Sequence, residues 1–253
     1  MTLTLPWVGL ESVLLAGVRI AAFLVIAPPF SHRGIPGTVK AMLAMALALL
    51  VAPRARAASD PTDIAAFVGQ LVLQVVVGLA LGFLVSVIFS AIQAAGSLID
   101  MFGGFQMAAA YDPMMLTNSA TFARLYQFTA IVLLFASDGY QLVITGLVRT
   151  FDVLPLGTPL DLASMAQLSS AGLSQMFLAA LQIAGPLVVV LFLADVGLGL
   201  LTRVASALNA FALGFPLKIL MTLLLGSTAF LAVPRLVSTL VGDAMNVLMG
   251  VSS

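Results

Sequence analysis

Residues Ser97 to Leu116 read SLIDMFGGFQMAAAYDPMML, and they interrupt a long apolar run with the paired glycines Gly103 and Gly104. Two adjacent glycines raise the backbone freedom that a helix must remove, and Pro113 biases Asp112 away from the α region. A solvated loop is usually rich in Ser, Asn and Lys, whereas this stretch carries Phe, Met and Ala. We therefore predict a flexible apolar loop that lies inside a protein assembly or a pore.

The composition around this stretch is that of an integral membrane protein. Of the 253 residues, 62% are hydrophobic and 8% are charged, whereas soluble domains average about 25% charged residues. Ten basic and ten acidic residues cancel, which argues against nucleic acid or an anionic surface as the main partner. We predict one all-α, membrane-embedded domain over residues 1–253, with no cleaved signal peptide because a basic n-region is missing.

Sequence patterns of enzymes and metal sites are missing. Without cysteine there is no disulfide, thiol catalysis or zinc–thiolate site, and a single histidine disfavours a histidine-rich metal site. The sequence has no HExxH or GxSxG motif and no glycine-rich phosphate loop followed by lysine. We expect no catalytic residue, no cofactor and no metal.

The apolar runs predict helices of unequal length. The run from Thr38 to Val51 offers roughly 22 Å of helix, which is short for a hydrocarbon core of about 30 Å, so it need not span the bilayer. Ile64 to Ala95 is the longest helical candidate, and the polar stretch Ser164 to Gly172 predicts an interfacial segment. Pro234 to Gly250 has apolar residues at helical spacing, which predicts an amphipathic terminal helix.

Small residues recur every four positions along the longest candidate, at Gly78, Gly82, Ser86 and Ser90. Such a stripe lets another helix approach closely, and Gln70 and Gln74 add side chains for hydrogen bonds between helices. We favour packing within one polypeptide over a dedicated subunit interface.

Charged residues also lie within the apolar runs or at their ends, namely Arg19, Asp100, Arg124, Asp195, Arg203 and Lys218. An ionised group at the centre of a membrane helix costs about 2.5–3.5 kcal/mol, so these six buried structural charges need partners, water or positions outside the lipid. Asp195 and Arg203 are about 12 Å apart along a helix and cannot pair directly. Structural ion pairing between helices is favoured over a proton or ion pathway, because no cluster of acids is present.

The segment Ala194 to Gly226, ADVGLGLLTRVASALNAFALGFPLKILMTLLLG, resembles the FliR family of flagellar export proteins and its virulence-type counterparts. An acid, Leu-Gly-Leu and an arginine are followed by an asparagine and Gly-Phe-Pro-Leu-Lys. Further matches follow in order along the chain: Arg19 before Pro29-Phe30-Ser31, Ile35-Pro36 before Lys40, Pro53, Gly96 with Asp100 and Gly104, Asp112-Pro113, and Phe151 with Leu154-Pro155-Leu156-Gly157. Two places depart from the family pattern, Ser206-Ala207 and Asp138-Gly139-Tyr140.

The resemblance implies a subunit of the type III export gate in the bacterial inner membrane, at the centre of the flagellar basal body. Its partners would be FliP and FliQ, with FlhB and FlhA beside them, and unfolded proteins would be the substrates. The fold it implies is a set of helical hairpins wound into a spiral assembly, with some helices outside the ordinary membrane plane. Such a subunit is not an enzyme, and we favour a flagellar over a virulence-associated system.

By the same resemblance, Phe102, Gly103, Gly104, Phe105 and Met107 form a plug in the export channel. Aromatic and methionine side chains suit a barrier to ions, and the glycines would let the loop move for a substrate. The alternative for these residues is a loop that is merely buried in packing, as in a structural assembly factor.

A small-solute secondary transporter is the second functional hypothesis. Glycine and proline breaks near intramembrane charges such as Asp195 and Lys218 are typical of transporter helices. We find no convincing internal repeat, which argues against this class.

Overall fold

The computed structural model of the chain describes residues 7–32, 34–55, 64–105, 121–158, 162–205, 210–230 and 233–248. Within these ranges the regular structure is helical and no strand occurs, so the predicted all-α membrane fold is confirmed. The described helices are α1 (Trp7–Ile26), α2 (Gly37–Val51), α3 (Ile64–Phe102), α4 (Thr121–Ala136), α5 (Gly139–Val153), α6 (Leu162–Val204), α7 (Ala210–Phe230) and α8 (Val233–Leu248).

Three of the described helices, α1, α3 and α6, are long and apolar enough to cross a membrane. The helices α4 and α5 together form a fourth candidate, which is bent by 78° at the break between them. By contrast, α2 has only 15 residues, which confirms that this run is short for a bilayer. At 39 and 43 residues, α3 and α6 measure about 58 and 65 Å, so they extend beyond a hydrocarbon core of about 30 Å.

Two helix boundaries differ from the prediction. Helix α3 continues through Ser97 and ends only at Phe102, because a single acid does not break a helix and the glycines come later. Ser164 to Gly172 belongs to α6, so this polar stretch is the first part of a long helix, and its place at the membrane interface stays a prediction. Its serines are compatible with a helix, since the Ser169 hydroxyl donates to the Met165 carbonyl one turn back at 2.8 Å.

The chain forms two compact units, and each is discontinuous in sequence. One comprises residues 1–88, 134–173 and 239–253, and the other comprises residues 89–133 and 174–238. Both α3 and α6 contribute residues to each unit. The single domain over residues 1–253 stays a prediction.

In the first unit, α3 approaches α1 through two residues of the small stripe. A Cβ added at Gly78 would collide with the backbone carbonyl of Arg19, and one at Gly82 would lie 3.1 Å from the Phe23 carbonyl oxygen. Ser86, the next member of the stripe, is half-buried and donates its hydroxyl to the Phe83 carbonyl of its own helix. These contacts are within one polypeptide.

The terminal helix α8 is amphipathic, as predicted. Val233, Val237, Leu240 and Val241 are buried, whereas Arg235 is exposed. The buried positions recur at intervals of three or four residues, which places them on one face of the helix.

Candidate functional site

The junction between the end of α3 and the start of α4 is built around the buried carboxylate of Asp100. Its Oδ1 accepts the Phe122 backbone N–H at 2.9 Å, and its Oδ2 accepts the Ala123 backbone N–H at 3.0 Å. The first backbone N–H groups of a helix have no partner within the helix, and a capping side chain usually comes from the residue just before it. Here the cap comes from Asp100 on α3, 22 residues upstream of Phe122.

The same residue closes the end of α3 through its backbone. Gly104 has a φ of 82°, and the Phe105 N–H donates to the Asp100 carbonyl at 3.1 Å. A glycine in the left-handed conformation, followed by a hydrogen bond that reaches back five residues, is the Schellman ending of a helix. The paired glycines therefore end α3, later in the chain than the predicted start of the loop at Ser97.

Close contacts hold the two helix ends together around Asp100. A Cβ added at Gly96 would lie 2.5 Å from the Ala123 Cα, so only glycine allows α4 to start so near α3. The rings of Phe105 and Phe122 meet edge to face, with centroids 5.1 Å apart and planes inclined at 71°. This geometry is favourable for aromatic pairs.

Helix α7 supports this junction from the side. A Cβ added at Gly103 would lie 2.7 Å from the Thr222 hydroxyl oxygen, and one at Gly104 would lie 3.2 Å from the Phe215 ring. Thr222 is buried, and its hydroxyl has no hydrogen-bond partner among the described residues. We refer to Gly96, Asp100, Gly103–Phe105, Phe122–Ala123, Phe215 and Thr222 as the α3–α4 junction.

The residues predicted to form a plug fall partly on this junction. Phe102 is the last residue of α3 and is half-buried, Gly103 is buried, and Gly104 and Phe105 are half-buried. Met107 lies outside the described residues. Gly103 and Gly104, for which the sequence predicts freedom of movement, provide a helix ending and close packing.

A second buried cluster surrounds Arg19 in the other compact unit. Its Nε donates to the Gln74 side-chain oxygen at 2.7 Å, and its Nη1 donates to the Leu154 backbone carbonyl at 2.8 Å. The guanidinium also lies 4.4 Å from the centre of the Phe151 ring, a cation–π contact. Its Nη2 and the Gln74 Nε2 have no hydrogen-bond partner among the described residues.

The other charged residues that the sequence singles out are not buried in the same way. Asp195 on α6 forms a salt bridge with Lys218 on α7, and their side chains are 43% and 21% exposed. Arg124 and Arg203 are exposed on this chain, so their predicted burial does not come from contacts within it and stays a prediction. Each lies on the outer side of its helix, where burial requires another chain or lipid.

Several residues of these clusters escape sequence reasoning. Phe122 and Ala123 act through backbone N–H groups, which every residue except proline carries and which leave no trace in the sequence. Thr222 differs from these two residues, because its hydroxyl lies between apolar neighbours in the sequence and could have marked it as a candidate. Among the described residues, no group of three or more His, Cys, Asp or Glu side chains could hold a metal ion.

Comparisons with known proteins assign the chain to export systems. Residues 10–244 match the family described as bacterial export proteins, family 1. The flagellar biosynthetic protein FliR of Escherichia coli strain K12 is 35% identical over 203 residues, which cover 80% of this chain and 77% of that protein. FliR of Bacillus subtilis strain 168 is 29% identical, with 94% and 96% covered. The Yop proteins translocation protein T of Yersinia pestis is 28% identical, with 79% and 78% covered.

Proposed function

The chain belongs to family 1 of the bacterial export proteins and is a subunit of a type III export apparatus. From this premise we propose that it helps to form and plug the channel that passes unfolded flagellar proteins. The plug comprises Phe102, Gly103, Gly104, Phe105 and Met107.

The α3–α4 junction is the observation that supports the plug. Phe105 and Phe122 are in ring contact although they are 17 positions apart in sequence, so the end of α3 and the start of α4 lie side by side. The residues between them in sequence are apolar and rich in Met and Ala, and no lysine or arginine lies among residues 106–120. An apolar loop with a fixed base suits a barrier that blocks ions by excluding water.

The same proposal extends to partners and location. Homologues of FliP and FliQ, with FlhB and FlhA, form the multi-subunit gate with this chain in the inner membrane at the flagellar basal body. The long helices α3 and α6 suit a spiral assembly of hairpins, because their ends extend past the hydrocarbon core and need protein neighbours. The subunit is passive and not an enzyme.

The alternative of a small-solute secondary transporter has no support from these relatives, whose names describe flagellar biosynthesis and protein translocation. The charges that motivate it are accounted for in another way. Asp195 and Lys218 pair with each other near the surface of the chain.

The test replaces residues 106–111, QMAAAY, with GSGSGS, which keeps the length of the chain and leaves Asp100, Phe105 and Phe122 unchanged. The complete gate complex is purified and placed in potassium-loaded vesicles. We expect the variant to release potassium much faster than the wild type while co-purifying with the same partner subunits. Met107→Leu is the matched control, since it keeps an apolar side chain, and it should remain closed.

Potassium release at the wild-type rate from fully assembled variant complexes contradicts Met107 as a plug residue, and the same result after deletion of Phe102 to Phe105 contradicts the plug as a whole. The membership of the export family does not depend on this result.

A further inference from the structure

We propose that a buried water molecule binds between α1 and α3 in the first compact unit, where it accepts hydrogen bonds from Arg19 and Gln74 and donates one to Gln70. This water would join two helices through a site of their own side chains. The site does not depend on the plug, so the outcome for one does not decide the other.

Three buried polar atoms of these side chains lack a hydrogen-bond partner among the described residues. They are the Arg19 Nη2, the Gln74 Nε2 and the Gln70 Oε1. Arg19 and Gln74 are fully buried, so bulk water cannot reach them, and a buried polar atom without a partner costs free energy. Two of the three atoms are donors and one is an acceptor. A ligand for this site must therefore both accept and donate hydrogen bonds.

The two donors are neighbours because of how Arg19 meets Gln74. A guanidinium presents the Nε–H and one Nη2–H in parallel on one edge, which a carboxylate fills with its two oxygens. Gln74 offers that edge a single oxygen, which accepts the Nε–H at 2.7 Å, and its other amide atom is a donor. The pair therefore leaves two adjacent donors, and an acceptor between them can bond to both.

The acceptor comes from Gln70, which lies one turn before Gln74 on the same side of α3. Its amide packs against the turn that follows α5, since a Cβ added at Gly157 would lie 3.2 Å from the Gln70 Nε2. Leu154, in the same turn, accepts the Arg19 Nη1 through its backbone carbonyl at 2.8 Å. The guanidinium and the Gln70 amide thus contact one short stretch of chain, which brings the acceptor close to the two donors.

Water fits these three atoms better than an anion does. A water oxygen accepts two hydrogen bonds while an O–H group donates a third, and buried waters typically form about three hydrogen bonds. A chloride ion has no proton for the Gln70 oxygen. The Arg19 charge also has favourable neighbours already, because the Leu154 carbonyl lies at the negative end of the α5 dipole and the Phe151 ring centre is 4.4 Å from the guanidinium.

The first measurement is a structure of the purified export complex at a resolution that shows ordered water. We expect one density peak within about 3.2 Å of the Arg19 Nη2, the Gln74 Nε2 and the Gln70 Oε1. No peak at this position, or a peak that contacts the two donors and not Gln70, overturns the proposal. This measurement uses the wild-type complex, so it does not require a variant to fold.

The second measurement separates water from an anion. Thermal unfolding of the complex is followed in sodium chloride and in sodium gluconate at equal concentration. With water in the site, Arg19→Met should lower the melting temperature by the same amount in both salts. A stabilisation by chloride that Arg19→Met abolishes, and that the exposed Arg124→Met retains, assigns the site to an anion and overturns the proposal.

The third measurement tests the link between the two glutamines, whose side chains share no direct hydrogen bond within the described structure. If water joins them, Gln70→Leu should lower the melting temperature less in the Gln74→Leu background than in the wild type. Gln93→Leu is the matched control, because Gln93 is an exposed glutamine on the same helix, and its effect should be equal in both backgrounds. Equal losses for Gln70→Leu in the two backgrounds overturn the proposal. Should a leucine variant not assemble, methionine replaces leucine, since its unbranched side chain adapts more readily to the site.

Discussion

Arg19 and Asp100 are both fully buried, and neither has an opposite charge as a partner in the described part of the chain, yet their surroundings differ. The Asp100 carboxylate accepts hydrogen bonds from backbone N–H groups at the start of a single helix. Arg19 draws on three places in the sequence, at Gln74, Phe151 and Leu154, and still leaves one nitrogen without an acceptor.

The difference indicates what each charge stabilises. A helix start is local, so Asp100 fixes one junction, between α3 and α4. The partners of Arg19 lie 55 and 135 positions away, so its contacts are satisfied only when α1, α3 and the end of α5 are packed together. A substitution of Arg19 should therefore destabilise the whole first unit, whereas the effect of a substitution of Asp100 should be confined to the α3–α4 junction.

The largest expected effect is the loss of Arg19. Arg19→Ala leaves the Gln74 oxygen and the Leu154 carbonyl buried without their donor, and it opens a cavity. We expect the free energy of unfolding to fall by about 3–5 kcal/mol, measured as thermal unfolding of the purified complex in detergent. The exposed Arg124→Ala is the control. Equal losses at the two arginines would contradict the assigned role.

A double variant sharpens this expectation. Arg19→Met with Gln74→Leu keeps the volume of both side chains and removes the unpaired polar atoms of Gln74. Replacing both partners by apolar groups is often close to neutral. The double variant should therefore be more stable than Arg19→Ala, and a further loss would argue against Gln74 as the main partner.

The next effect in size is the loss of the Asp100 carboxylate. We expect Asp100→Asn to lower the free energy of unfolding by about 1.5–3 kcal/mol, because a hydrogen bond to a charged group contributes that much. Hydrogen exchange should show the faster opening at the start of α4 and not in α1. Uniformly faster exchange in both units would show that Asp100, like Arg19, stabilises more than its own junction.

Of the sequence-based expectations, those that depend on periodicity and backbone chemistry are the accurate ones. Whereas α3 ends at the paired glycines and not at Ala95 as predicted, the short α2 and the amphipathic α8 follow from local patterns. The partners of Asp100 and Arg19 do not, because they include backbone groups that any residue carries. Burial of Arg124 and Arg203 was expected because apolar neighbours indicate a membrane environment, but the sequence does not tell which side of a helix faces the same chain.

A third prediction compares two glycines beside Arg19. Gly78→Ala places a methyl group against the Arg19 backbone carbonyl, and overpacking of this kind costs about 1–3 kcal/mol. At Gly82 the nearest atom to an added Cβ is 3.1 Å away, and the higher helix propensity of alanine partly offsets the contact. Thermal unfolding should show a clearly larger loss for Gly78→Ala. Similar values would mean that α1 can shift away from α3.

The smallest effect is expected for the half-exposed pair. Lys218→Met removes the salt bridge to Asp195, and such pairs contribute about 0–1 kcal/mol. Unfolding of the complex should change by less than 1 kcal/mol, a bound set by the same range for exposed pairs. A loss as large as that of Asp100→Asn would show that the pair is buried in the assembled gate.

The length of α6 bears on how cells must make this protein. Phe177 and Val204 are exposed by 66% and 89%, and they lie 27 positions apart, about 40 Å along the helix axis. A hydrocarbon core of about 30 Å cannot solvate both ends of that apolar surface. A copy that lacks neighbouring protein chains along α6 therefore presents apolar side chains to water. We therefore expect a copy without neighbouring chains along this helix to aggregate or to be proteolysed.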